Sequence, residues 1–176
     1  ADTRLTEVRG HVPDAAGLVS ASGQTAARAY AESLRAITGR KPVLVLSDEV
    51  DASKKIAKFT DSDDRWMVAV RMVSEGVDIP RLRVGVHATT TTTELFFRQA
   101  VGRIVRYTGG RGRAYMFVPD DPRLRFFAER IAEARRHRLR TDLEDPIARL
   151  EIPEIGLDVV ALGLAFALVL LVAAVW

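Results

Sequence analysis

The predicted fold class is α/β, a parallel sheet covered by helices on both faces, and three observations predict it. The strand candidates are unbroken apolar runs such as WMVAV at 66–70, not alternators, which marks strands buried on both sides. Stretches with helical spacing of apolar residues separate them, so strand and helix alternate along the chain. The length, 176 residues, is enough for one sizeable core with extensions.

Composition agrees. Hydrophobic residues are 48% and charged residues 28%, a globular balance. The formal charge is +3 and the sequence pI about 9.6 because arginine dominates the bases, which permits a nucleic-acid surface without requiring one. The absence of cysteine excludes disulfides and thiolate metal sites and suits a reducing cytoplasm. His11, His87 and His137 are too scattered for a zinc site and read as surface or boundary residues.

In chain order, residues 1–15 carry mixed charge with Gly10, Pro13 and Asp14, and read as a connector with no apolar signal-peptide core. GLVSA, 17–21, is a short buried strand. SGQT then supplies cap residues for a helix from about Thr25 to Thr38, whose apolar Ala27, Tyr30, Ala31, Leu34 and Ile37 share a face and which Gly39 can end. PVLVLSDE, 42–49, imitates a magnesium-binding strand. No GxxxxGK[ST] loop precedes it, so it reads as the second strand, with Asp51 or Ser53 capping a short helix that buries Ile56 and Phe59. DSDD, 61–64, is a solvated acidic turn. WMVAV is the third strand, RVGVHA, 83–88, the fourth and RAYMFVP, 113–119, the fifth, entered through the turn TGGRGRA. The threonines of ATTTTTE, 88–94, suit holding a loop and capping the next helix. A long helix from about Asp121 to Arg140 follows, its basic end Arg135, Arg136, Arg138 and Arg140 complementing the helix dipole.

Two motifs carry the chemistry. QAVGRIVR, 99–106, read as a helix, places Gln99, Arg103 and Arg106 at i, i+4 and i+7 on one face. Two cations so placed repel each other unless an anion lies between them, and forked guanidinium donors match phosphate oxygens. Phe96, Phe97, Ala100, Val101, Ile104 and Val105 cover the rest of the circumference and wedge the helix into a core, while Gly102 admits a close neighbour. SEGVDIP, 74–80, follows the WMVAV strand with Gly76 in a turn and Asp78 a carboxylate just past the strand end, where open parallel sheets bind ligands.

From about Ala16 to about Leu139 the chain resembles the second RecA-like domain of the superfamily 2 DEAD/DEAH-type helicases, with SEGVDIP and QAVGRIVR similar to their motifs V and VI. The resemblance implies a RecA-like three-layer domain. It also implies that Gly76 and Asp78 lie at ATP, that Gln99, Arg103 and Arg106 face the triphosphate across a cleft, that Arg103 and Arg106 are catalytic, and that Arg106 is the arginine finger. Mg2+ would be held mainly by an N-terminal RecA-like motor domain that supplies the P-loop and magnesium-binding acid missing here, so this chain alone should be inactive. Ser22 or Gln24 would touch a nucleic-acid phosphate at the family's motif IV, although Ser22 equally suits a helix cap. The family's threonine early in motif V is replaced by Val70, followed by Arg71, which suits either a nucleic-acid phosphate or a nearby carboxylate. Glutamine at the start of motif VI is similar to the DNA-directed members, with RNA not excluded. A non-catalytic nucleic-acid-binding or regulatory module with a helicase-like fold is the alternative.

The domain reading is therefore a connector at 1–15, the helicase C-terminal RecA-like domain at 16–140 and an extension at 141–176. Within the extension DLEDPIARLEIPE is hinge-like, and residues 159–176 are free of charge. As a helix the run would reach roughly 27 Å, near the lower limit for crossing a membrane. It fits a buried terminal helix or a tail foreign to the domain, the favoured readings with a cytoplasmic protein, and also a membrane anchor.

Overall fold

A computed structural model of the chain describes residues 1–46, 48–70, 78–104, 113–144, 159–161 and 168–172, by backbone alone beyond residue 134. Its elements are α1 (Asp2–Arg9), β1 (Ala16–Ala21), α2 (Gln24–Thr38), β2 (Val43–Val45), α3 (Ala52–Thr60), β3 (Trp66–Val70), β4 (Leu82–Ala88), α4 (Glu94–Ile104), β5 (Ala114–Val118), α5 (Pro122–Glu144), β6 (Val159–Ala161) and β7 (Leu168–Val172). The five apolar runs read from the sequence are β1 to β5. They lie in the order β2-β3-β1-β4-β5, every neighbouring pair parallel.

Alternate residues of these strands feed two cores. Val19, Ala21, Trp66, Val68, Val70 and Val84 meet Ala27 and Ala31 of α2 and the fully buried Leu5 of α1. Leu18, Met67, Ala69, Met116 and Val118 meet Ile56 and Phe59 of α3, Phe97, Ala100, Val101 and Ile104 of α4, and Leu124 and Ala128 of α5. The sheet is thus sandwiched between α1 and α2 on one side and α3, α4 and α5 on the other, a RecA-like three-layer domain. On α4 the buried Phe97, Val101 and Ile104 each contribute roughly 1.5–3 kcal/mol.

Two glycines set close approaches. At Gly85 a Cβ would lie 2.4 Å from Met116 Sδ and 2.7 Å from Ile104 Cγ1, so its absence lets α4 settle directly on β4. At Gly17 a Cβ would stand 2.2 Å from the Trp66 ring, which lies across the neighbouring strand. Gly39, at φ 68°, ends α2 in the left-handed conformation, its N–H donating to Arg35 O, as read from the sequence.

Buried Arg81 ties separate segments together at the start of β4. Its Nε and one terminal nitrogen donate to Phe59 O at 3.0 and 2.7 Å, and further bonds reach Asp14 O at 3.0 Å and Asp64 O at 2.7 Å. The guanidinium lies 4.2 Å from the Phe59 ring centroid. Burial pulls its pKa below the ordinary arginine value, yet an arginine stays charged across the working pH range.

Several readings change. Residues 2–9 of the connector stretch form α1, pinned where Trp66 Nε1 donates to Asp2 Oδ1 at 2.8 Å and Arg65 to the same oxygen at 3.0 Å. Within 159–176 the described residues form β6 and β7 where a helix was expected, and β7 adds antiparallel to β5 because β5 otherwise ends the sheet with an unpaired edge. Among the described residues no helix is long and apolar enough to cross a membrane. The α5 helix continues to Glu144, so Arg135 to Arg140 precede its last turn, which is not basic. Gly23 occupies the α2 N-cap position and no side chain caps it, which removes the capping role from Ser22; Asp51 holds the α3 N-cap position, also without a capping bond. The hinge-like stretch at 145–154 lies outside the described residues.

Candidate nucleotide and nucleic-acid site

Parallel topology decides which candidates can meet. A parallel connection must return the chain to the amino end of the next strand. Since β3 and β4 both run parallel to β1, Asp78, four residues before β4, lies at the entry to β4 and not just past β3, exposed beside the buried Ile79. The α4 helix starts past the carboxyl end of β4 and runs back toward the amino end of β5, carrying Arg103 in its last turn. Asp78 thus lies at the amino edge of the sheet, while α4 runs toward that edge with Ile104 over Gly85 in the middle of β4. Ser22 and Gln24, beyond the carboxyl end of β1, lie at the opposite edge.

On α4 the apolar seam is Phe97, Ala100, Val101 and Ile104, all buried, while Gln99 is exposed and Arg103 half-buried one turn further on. The buried seam is the wedged face that the spacing implied. Phe96 is half-buried, and Gly102 is exposed with no described atom within 4 Å of where a Cβ would stand, so the close neighbour expected there is not among the described residues. Glu94 at the head of the helix accepts from Arg98 at 2.9 Å and from Arg130 of α5 at 3.1 Å, binding two cations that lie off the stripe. Gly76, Arg71 and Arg106 lie outside the described residues.

The seat of α4 contains a residue that the sequence placed at the surface or its boundary. His87 is fully buried, because the two phenylalanines of α4 close over the end of β4 with ring centroids 5.7 and 5.5 Å away. Its Nε2 is 3.1 Å from Thr91 O, and since a carbonyl only accepts, Nε2 carries the proton. Nδ1 is buried without a hydrogen-bond partner among the described residues. Thr89 Oγ1 accepts from Thr91 N at 3.2 Å, so the threonines hold the loop as expected. Burial pushes the His87 pKa below 6.5, and the unfolded chain takes up a proton that the folded chain refuses. The resulting stability is full above 6.5 and is lost as pH falls through the folded pKa. In urea unfolding between about pH 7.5 and pH 5, His87→Phe should flatten the fall in midpoint; parallel curves for the two proteins would refute this.

At the carboxyl edge Gln24 Nε2 donates to Asp48 Oδ1 at 2.7 Å, a contact across the exits of two strands. Among the described residues no group of three or more His, Asp or Glu is placed to hold a metal ion.

The layered parallel sheet with its arginine-bearing helix defines the class, a RecA-like α/β domain. The family model for the helicase conserved C-terminal domain matches residues 21–108, half of the chain, and the chain belongs to that family. It is 51% identical over 137 residues to an uncharacterized protein of Mycobacterium leprae (strain TN), covering 78% of this chain and 23% of that protein. It is 48% identical over 151 residues to an uncharacterized protein of Mycobacterium tuberculosis (strain ATCC 25618 / H37Rv), covering 84% and 25%. The chain therefore spans about a quarter of the length of these relatives. Among solved structures it is similar to Mss116p DEAD-box helicase domain 2 bound to an RNA duplex, with a TM-score of 0.50 and 9% identity over 62% of this chain and 43% of that one, a likeness of fold.

Proposed function

We propose that this chain is the second motor domain of an ATP-dependent helicase or translocase acting on DNA, completed by an N-terminal RecA-like domain. The observation that carries the reading is α4, a helix sunk into the core along Phe97, Ala100, Val101 and Ile104 with Gln99 and Arg103 left along its outer stripe. A helix anchored along that seam gives Gln99 and Arg103 a fixed base from which to meet a triphosphate, and donors on a fixed base are what electrostatic catalysis uses.

In this reading Gln99 and Arg103 donate to phosphate oxygens, Arg106 meets the charge that builds on the γ-phosphoryl group, and Asp78 with Gly76 borders the nucleotide. The P-loop, the magnesium-binding acid and Mg2+ itself belong mainly to the partner domain. Closure brings Arg106 in and release withdraws it, so each turnover moves this domain against its mate. Ser22, Gln24 and Arg71 would follow the DNA backbone, giving salt-sensitive and weakly sequence-selective binding.

The test compares this chain alone with the longer polypeptide that joins it to a P-loop domain. DNA-stimulated ATP hydrolysis is expected from the longer protein and none from the chain alone. A longer protein that binds DNA without any stimulated turnover would replace the motor reading with a binding module.

A further inference from the structure

The loop after β2 carries Asp48, Glu49 and Asp51 around a wholly exposed Val50 at the carboxyl edge of the sheet. Three carboxylates so close repel one another, and each is drawn toward a donor from the flanking helices or the backbone. Asp48 accepts from the Gln24 amide at 2.7 Å. Glu49 accepts from Leu46 N at 3.1 Å and pairs with Lys55 Nζ at 2.8 Å, with Asp51 4.0 Å from the same ammonium. The Lys55 bond, followed by that from Leu46 N, holds the Glu49 carboxyl below its usual range. Arg28, one turn beyond Gln24 on α2, is exposed and acts electrostatically on both Glu49 and Lys55, with no bonded partner among the described residues.

The donors this loop engages are an amide and an ammonium, beside a guanidinium, on the two helices that flank it. Each suits a phosphate oxygen as well as a carboxylate oxygen, and the DNA path proposed above runs through Gln24. We propose that the loop at 48–51 is an internal competitor for the polynucleotide backbone: its carboxylates hold the donors of a phosphate-binding surface made by Gln24, Arg28 and Lys55 until DNA displaces them. The inference rests on the DNA-motor reading. Exposed ion pairs are weak, so the loop tunes affinity and does not block binding. Displacement exchanges carboxylate for phosphate at each donor, which lets the domain let go of DNA readily between steps.

The probe is a fluorescein-labelled single-stranded oligothymidylate, titrated with the chain by anisotropy at low and moderate salt. Asp48→Asn and Glu49→Gln are each expected to tighten binding roughly two- to fivefold, the worth of one exposed charge contact. Gln24→Ala should cost little in the native background and clearly more beside Asp48→Asn, since only there is the amide released. Asp63→Asn serves as control, because it removes one charge near the amino end of β3, where Asp63 pairs with Arg9. Equal tightening by Asp63→Asn would overturn the proposal by reducing it to net charge. If Arg28→Ala and Lys55→Ala weaken binding but neither acidic variant tightens it, the proposal falls and the DNA path at this edge survives. If no variant at this edge changes affinity, both fall.

Discussion

In the longer polypeptide that joins this chain to a P-loop domain, Arg106→Ala is expected to lower stimulated ATP turnover by on the order of a thousandfold or more while leaving much of the ATP affinity intact. The asymmetry follows from when the charge is needed. A triphosphate in its ground state already has magnesium and the P-loop as counter-charge, whereas the transferring phosphoryl group gains its extra stabilisation from a guanidinium arriving across the cleft. By sequence spacing Arg106 follows Arg103 by three residues, and it lies two residues past the last described residue of α4. Arg106→Lys should recover little, because a point charge on a flexible stem does not reproduce the planar fork. Arg98→Ala is the matched control: the same helix, but a side chain occupied by Glu94 at 2.9 Å. Single-turnover and steady-state hydrolysis with saturating DNA measure the effect. Near-normal stimulated turnover in Arg106→Ala would remove the finger assignment.

Arg81→Met is expected to destabilise the fold by about 3 kcal/mol, lowering the melting temperature by roughly 6–12 °C. Methionine keeps most of the apolar stem and its contact with Phe59, so the loss isolates the polar head. That head serves the carbonyls of Phe59, Asp64 and Asp14, which belong to the end of α3, the turn before β3 and the lead into β1. Bonds to a charged donor are worth more than neutral ones, and removing the donor leaves part-buried carbonyls without it. Arg81→Lys should recover only part, since one ammonium cannot span three segments. Calorimetry or circular dichroism gives the answer, and a Met variant melting within about 2 °C of the parent would show that water replaces the head without cost.

The strands were legible because burial on both faces writes an apolar run directly into the chain, as WMVAV does. The α2, α3 and α4 helices were legible because their buried residues recur at helical spacing, Ile56 and Phe59 among them. The α1 helix was not, since between Asp2 and Arg9 only Leu5 and Val8 are apolar, too few for a stripe. The apolar tail misled because composition without periodicity cannot tell strand from helix. Strand order, and with it the separation of Asp78 from Gln24 at opposite edges, depends on pairings between distant segments. The same holds for the Gln24–Asp48 bond, where residues 24 apart in sequence meet only because β1 and β2 leave the same edge of the sheet. His87 read as a boundary residue because the aromatic side chains that bury it come from the following helix.

The missing side chain at Gly85 leaves Ile104 seated against strand backbone with no slack between them. A bar bolted down at that point cannot slide or swivel on its base. On the motor reading proposed above, travel of the described helix must then be travel of the entire body, so the timing of a contact made by Gln99 would report rotation of one half of a motor about the other.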